Sequence, residues 1–111
     1  MTNLLLTLTL TMPPNLPENM ARAIYIAEGG KKAKVPYGIL SVKVKDEADA
    51  RRVCLVSITN NWRRWQAPGK TNDFVDFMAN RWVPVKSDPA GNKNWKRNVK
   101  AILGDAAYLR R

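Results

Sequence analysis

Ala23-Ile24-Tyr25-Ile26-Ala27-Glu28-Gly29-Gly30, followed by Pro36-Tyr37-Gly38-Ile39-Leu40-Ser41, is the stretch on which the reading of this chain turns. Met20, Ile24 and Ala27 recur at helical spacing, so residues 17–27 are expected to form an amphipathic helix, with Asn15 or Leu16 at its cap and Pro17 in its first turn. Gly29-Gly30 ends that helix, because glycine enters the left-handed conformation after a helix without a Cβ penalty. Glu28 then stands at or beside the last helical position. A carboxyl facing an apolar loop there is short of solvent, and the negative end of the helix dipole disfavours its ionised form. Both effects raise its pKa and suit it to donating a proton.

Working outward, residues 31–45 lose the helical period. Pro36, Gly38 and Ile39-Leu40-Ser41-Val42-Lys43-Val44-Lys45 read as a loop with a short strand or hairpin. Asp46 caps a second helix over residues 47–65, where Ala50, Val53, Cys54, Ser57, Ile58, Asn61, Trp62 and Trp65 form one stripe. Thr71 or Asn72 caps a third helix over residues 73–82, and residues 84–92 read as loop. A last helix over residues 93–103 turns Trp95, Val99 and Ile102 inward, leaving Lys96, Arg97 and Lys100 on a solvated basic face, and Gly104 stops it. Before residue 15, Leu4-Leu5-Leu6-Thr7-Leu8-Thr9-Leu10 alternates like an edge strand or ordered arm, with an atypical export signal as the alternative, and is too short to cross a bilayer. The expected organisation is an N-terminal arm, residues 1–14, and a single domain, residues 15–111. Its expected fold class is α+β, mainly helical, with about four helices and one small β-hairpin.

Composition narrows the chemistry. The chain has 111 residues, 45% of them apolar, enough for one modest core. It has no histidine and one cysteine, Cys54, which removes Ser-His-Asp and Cys-His catalysis, histidine-ligated zinc and cysteine-rich metal sites. Neither metal nor cofactor is expected, and acid/base work falls to nine carboxylates and the lysines. A net charge of +10, from 19 basic and 9 acidic residues, implies a polyanionic partner: nucleic acid, an anionic membrane surface or the anionic bacterial cell wall.

The Glu28-Gly29-Gly30 helix end, followed by Tyr37-Gly38-Ile39, resembles the lysozyme superfamily, in particular phage-type lysozymes, Glu-Gly-Gly muramidases and lytic transglycosylases. The resemblance spans about residues 20–44. It implies a lysozyme-like fold, a small β-element lining the cleft, a peptidoglycan glycan strand as substrate, and action at the bacterial cell wall or in association with a phage. Glu28 matches the catalytic acid, and Ser41 falls near the position where transglycosylases carry a glutamine. Phage-type lysozymes have an aspartate soon after the glutamate, but residues 29–45 contain no acid here. That departure points to a single catalytic glutamate, as in a lytic transglycosylase, or to a water-using variant with a polar residue in the aspartate's place.

Tyr37, Ser41, Asn61 and Trp65 are the expected substrate-binding residues: Trp65, at a helix end, offers a face for a sugar ring, and Asn61 an amide for an acetamido group. Two rival readings accompany this one. In a small nucleic-acid-binding protein, Lys31, Lys32, Arg63, Arg64, Lys96 and Arg97 would contact phosphates. In a phage structural protein, a lysozyme-like scaffold would have lost its activity.

Overall fold

A computed structural model describes residues 12–40, 42–67, 69 and 72–104. Most of the N-terminal arm, including its alternating leucines, and Ser41 lie outside the described residues. Four α-helices account for most of what is described: α1 (Leu16–Ala27), α2 (Glu47–Trp65), α3 (Phe74–Trp82) and α4 (Pro89–Leu103).

Aspartate sets three of the four helix starts. Asp46 accepts the backbone N–H of Asp49 at 2.8 Å, Asp73 that of Asp76 at 2.8 Å, and Asp88 that of Gly91 at 2.9 Å. Each bond satisfies one of the donors a helix leaves unpaired at its N-terminus. The second helix spans the residues its apolar stripe marks out. The fourth begins earlier than residue 93, because Asp88 followed by Pro89 is a cap followed by a proline already set for the first turn. Much of the loop expected over residues 84–92 is therefore helix.

No β-hairpin is seen among the described residues. The described residues contain no strand, so the architecture is all-helical and the α+β class is corrected. Between α1 and α2 the chain instead makes two short 3-10 turns, Gly30–Lys32 and Pro36–Gly38. Their backbone bonds are local, with Gly38 N–H donating to Val35 O at 2.9 Å and Ile39 N–H to Pro36 O at 3.3 Å. Alternation of apolar residues makes a strand only when a second strand takes up its backbone groups. Here Ile39 is buried and Val44 packs half-buried against the core, while Leu40 and Val42 are exposed, and no described strand takes up the backbone groups of this segment.

α1 packs on both α2 and α4, and α3 bridges α2 and α4. Met20 and Ile24 from α1, Cys54, Ile58 and Trp65 from α2, Phe74, Val75 and Met78 from α3, and Val99 from α4 are fully buried in one core. Trp62, Trp65 and Phe74 form a three-ring cluster with centroids 5.0 to 5.6 Å apart, joining the end of α2 to the start of α3. On the same side, Lys100 reaches Asp73 and Asp76, each at 3.0 Å, tying the last turn of α4 to the first of α3. Burial alone would lower the Lys100 pKa, but hydrogen bonds to the two aspartates outweigh it and raise the pKa. Lys100 is thus a clamp rather than part of a solvated basic face.

Trp65 is fully buried, and its indole N–H donates to the Asn72 carbonyl at 2.8 Å. Trp65→Ala is expected to cost about 3–5 kcal/mol of stability. A urea titration followed by circular dichroism would register it as a lower midpoint; an unchanged midpoint with weakened glycan binding would place the ring in a groove instead.

Candidate active site

Helix α1 hands Glu28 to the site. The helical stripe buries Met20, Ala23 and Ile24, and Glu28 follows as the cap residue, its N–H donating to Ile24 O at 2.9 Å. Gly29 (φ 111°) and Gly30 (φ 60°) then reverse the chain with a backbone that side chains rarely tolerate. Further on, Tyr37 and Gly38 are both left-handed, at φ 60° and 69°. A tyrosine in this region is strained by roughly 1 kcal/mol or more, a feature that collects at functional sites.

The strained turn sets Gly38 directly against the Glu28 carboxyl. A Cβ placed on Gly38 would lie 2.5 Å from Glu28 Cδ and within 2.7 Å of both carboxylate oxygens. Glycine is therefore required here twice, by the positive φ and by the close approach. The Glu28 carboxyl is half-buried, and desolvation raises its pKa above the ordinary carboxylate value. The indole N–H groups of Trp95 and Trp82 act on it in the opposite sense, by favouring the ionised form. The Trp82 N–H also donates to the Tyr37 carbonyl at 3.2 Å. The Trp95 N–H is buried and closes no hydrogen bond of ordinary length, so it stands as a spare donor for the carboxylate.

In front of Gly38 runs a cleft. One part, about 380 Å³, is bounded by Gly38, Ile39, Leu40 and Val53 together with Ser57, Arg81, Trp82 and Pro84. A second part, also about 380 Å³, shares those last four residues and continues along Asn61, Arg64 and Asn80. The shared wall makes the two parts one continuous groove between α2, the end of α3 and the turn at residues 36–38. It is apolar near Gly38 and polar at its far end. Glu28 lies just behind the apolar end, at Gly38.

The expected site residues fall in different places. Asn61 lines the polar end, with its Nδ2 donating to the Ser57 carbonyl at 2.9 Å and to Ser57 Oγ at 3.2 Å, while its Oδ1 accepts from Arg64 at 3.3 Å. The Tyr37 side chain is buried against Tyr25, ring centroids 5.1 Å apart, and borders a separate depression with Glu18, Arg22 and Arg51. Tyr37 serves the site through its carbonyl and its backbone bend. The Trp65 ring is in the core, away from the cleft, and Ser41 lies outside the described residues.

Trp82, Trp95, Ser57, Asn80 and Arg81 were not singled out by pattern as site residues. Trp82 and Trp95 sit at core positions in their helices, and periodicity carries no sign that their N–H groups meet a carboxyl.

No carboxylate, Glu28 included, is among the described residues that line the cleft; Glu28 meets it only through Gly38. Asp46 caps α2, Glu47 accepts the Tyr25 hydroxyl at 3.0 Å, and Asp49 accepts the Lys45 N–H at 3.0 Å and pairs with Arg52. Cys54, in the core nearby, has its thiol pushed up to about 12 chiefly by burial, which removes it as a nucleophile. No group of residues among those described has the makeup of a metal site. No described helix is long and apolar enough to cross a membrane. No family model matches this chain, no curated protein matches it, and no solved structure matches it.

Two outcomes test the geometry. A raised carboxyl pKa means that the folded state holds the Glu28 proton more tightly than the unfolded chain, so Glu28 costs stability as pH rises through its folded pKa. Glu28→Gln is accordingly expected to have a higher Tm than the wild type at pH 7, with the gap closing towards pH 4; an equal gap at both would place the carboxyl in full solvent. Gly38→Ala is expected to displace the carboxyl and cost about 1–3 kcal/mol, seen in thermal unfolding and in the shifted Glu28 resonance in a carbon-detected carboxyl spectrum.

Proposed function

We propose that this protein is a glycosidase that cleaves peptidoglycan between N-acetylmuramic acid and N-acetylglucosamine, a muramidase or lytic transglycosylase with Glu28 as its single catalytic carboxylate. The observation that carries this reading is the half-buried Glu28 carboxyl, its pKa raised by desolvation, set against a glycine at the end of an open cleft. A glycosidic oxygen brought over Gly38 meets no Cβ between itself and the acid. Glu28 protonates that oxygen as the C–O bond breaks, and charge develops on the sugar ring. The carboxylate left behind gains the Trp95 N–H, which has no other partner, and the Trp82 N–H, so the site is ready for both protonation states.

The same carboxylate then acts as base. It takes a proton from water, which adds to the anomeric carbon, or from the sugar's own 6-hydroxyl, which closes a 1,6-anhydro ring. Neither route needs a second carboxylate, in keeping with a cleft whose described walls contain none. Trp82, half-buried along the shared wall, offers an indole for a sugar ring, and Asn61, Asn80 and Ser57 offer the polar contacts an acetamido group needs.

The nucleic-acid reading has one observation in its favour: Lys31, Lys32, Arg63, Arg64 and Arg97 are exposed. They lie on three separate elements, however, and Arg63 and Arg97 are engaged with Asn60 and Asn94 of their own helices at 3.1 and 2.8 Å.

Clearing of a suspension of purified peptidoglycan tests the enzyme. Glu28→Gln is expected to lower the rate by about 100-fold or more. Wild-type activity is expected to fall as pH rises through the Glu28 pKa, since the acid must be protonated. Equal clearing by the two proteins, or clearing by neither, would overturn the reading and leave the scaffold-only or nucleic-acid alternatives. Product analysis separates the two chemistries by an anhydro or a reducing end.

A further inference from the structure

We propose that the depression beside Tyr37 is a second binding site, for a carboxylate, and that a carboxylate seated there braces the turn holding Gly38 against Glu28. The inference does not depend on what the cleft cuts.

The depression holds about 350 Å³ and is bounded by Glu18, Asn19, Arg22 and Tyr25 of α1, Tyr37 of the turn and Arg51 of α2. It shares no lining residue with the cleft. Its size is at the small end of ligand pockets. Tyr37 is what marks it as a site. The residue is only 6% exposed, yet its hydroxyl has no hydrogen-bond partner among the described residues. That hydroxyl is not sealed in the core either. It opens onto the depression, within electrostatic reach of Arg51 and Glu18. The other tyrosine there differs: the Tyr25 hydroxyl is already given to Glu47 at 3.0 Å. A nearly buried donor without a partner is costly, and a ligand acceptor removes that cost.

Charge says which acceptor. Arg22 is exposed and has no ion-pair or hydrogen-bond partner among the described residues. Arg51 gives one terminal nitrogen to Glu18 and keeps further N–H donors in its fork. Glu18, the only acid in the walls, already seats a carboxylate on Arg51. A second carboxylate accepting from Arg22 and from the Tyr37 hydroxyl extends the pattern through charge-assisted bonds. A phosphate dianion fits less well, because Glu18 repels a double charge at close range. The Asn19 amide and the Tyr25 ring suit the end of a peptide, so the carboxylate is either a peptide C-terminus or a small free acid.

The place of the site gives it a consequence. The Tyr37 carbonyl accepts the Trp82 N–H at 3.2 Å, and the next residue, Gly38, rests on the Glu28 carboxyl. A ligand bonded to the hydroxyl holds the ring from its far end and steadies the left-handed backbone behind it, at φ 60°. A ligand that binds this arrangement of the turn better than others shifts the population towards it.

The experiment titrates the full chain, at physiological salt, with N-acetylalanylalanine, its neutral C-terminal amide, acetate and inorganic phosphate. Nuclear magnetic resonance follows the Tyr37 ring and the arginine Nε–H groups. The dipeptide acid is expected to bind about tenfold or more tightly than its amide. Arg22→Gln is expected to remove most of that advantage, and Tyr37→Phe to weaken the acid by about tenfold. Lys93→Gln removes an equal charge from an exposed position outside the depression and is expected to leave binding intact. Without ligand, Tyr37→Phe is expected to keep the wild-type Tm, because the hydroxyl bonds to nothing in the described fold. At saturation the Glu28 carboxyl resonance is expected to move in the wild type and to stay in place in Tyr37→Phe.

Acetate binding as tightly as the dipeptide supports a site for a small acid, and tighter dipeptide binding supports a site for a peptide end. Equal binding of acid and amide overturns the proposal, as does an equal loss with Lys93→Gln, which would leave net charge alone at work. Phosphate binding more tightly than either carboxylate also overturns it. So does a lowered Tm for unliganded Tyr37→Phe, which would make the hydroxyl part of the fold. A Glu28 resonance unmoved at saturation overturns the bracing of the turn. None of these outcomes involves cleavage, so the glycosidase reading stands or falls separately, on the clearing of peptidoglycan.

Discussion

The Glu28 carboxyl rests against the Cα of Gly38, closer than any side chain there would allow, and the arrangement of the rest of the site follows from that contact. It requires α1 to end where it does, with two glycines turning the chain back on itself. It requires a left-handed Tyr37-Gly38 pair, whose strain is held by Tyr37 packing on Tyr25 and by the Trp82 N–H bonding to the Tyr37 carbonyl. It also requires a buried frame behind it, supplied by α2 and α4 on either side of α1. Loosening any of these would let water reach the carboxyl and return its pKa towards that of an ordinary glutamate.

That frame is built with economy of polar groups. The core is apolar apart from Asp73, Asn61 and Asn92, and each of these has a task. Asp73 caps α3 and pairs with Lys100; Asn61 ties Ser57 to Arg64 on the cleft wall; Asn92 donates to the Val83 carbonyl at 2.8 Å and to Asn80 Oδ1 at 3.2 Å, fixing the end of α3 against the start of α4. The last two set the polar end of the groove from below, so its neutral amides and its two arginines are presented by helices rather than by a free loop. Among the described residues, the one buried side-chain donor without an ordinary partner, the Trp95 N–H, is also one that acts on Glu28. A buried donor left open is costly, and a carboxyl that alternates between protonated and ionised states gives it a use.

In the proposed mechanism, one acid stands where glycosidases of the two-carboxylate kind have two. The acids closest in sequence after Glu28 are spent on capping and pairing at the start of α2. A single carboxyl that first gives and then takes a proton needs an environment tolerant of both charge states. At Glu28 partial burial is opposed, but not outweighed, by the two indole N–H groups, so its pKa stays above that of an ordinary carboxylate.

How much of this was legible in the chain depends on the range of the interaction that decides it. The second helix could be placed from residues 47–65 alone, because its apolar stripe and its aspartate cap act within a few turns. The position of Glu28 at the end of α1 was equally local, fixed by Gly29-Gly30. The absence of histidine and the lone cysteine left acid/base catalysis to the carboxylates and lysines before any geometry was known. Residues 39–45 show the opposite case: their alternation resembles a strand, but a strand exists only through a partner, and the fold provides none. The start of α4 was legible in Asp88-Pro89 and was obscured by the turn-forming residues around it. Trp65 and Trp82, both at helix ends, could not be ranked by pattern; the packing of α2 on α3 buried the first and left the second on the groove. Sequence by itself determined the course of α1 and α2, the Asp46 cap and the acid available to the site, because those are set by neighbours along the chain, whereas α3 is capped by Asp73 and not by Thr71 or Asn72. Which groups surround that acid only the tertiary structure decided, because those contacts join residues on different helices.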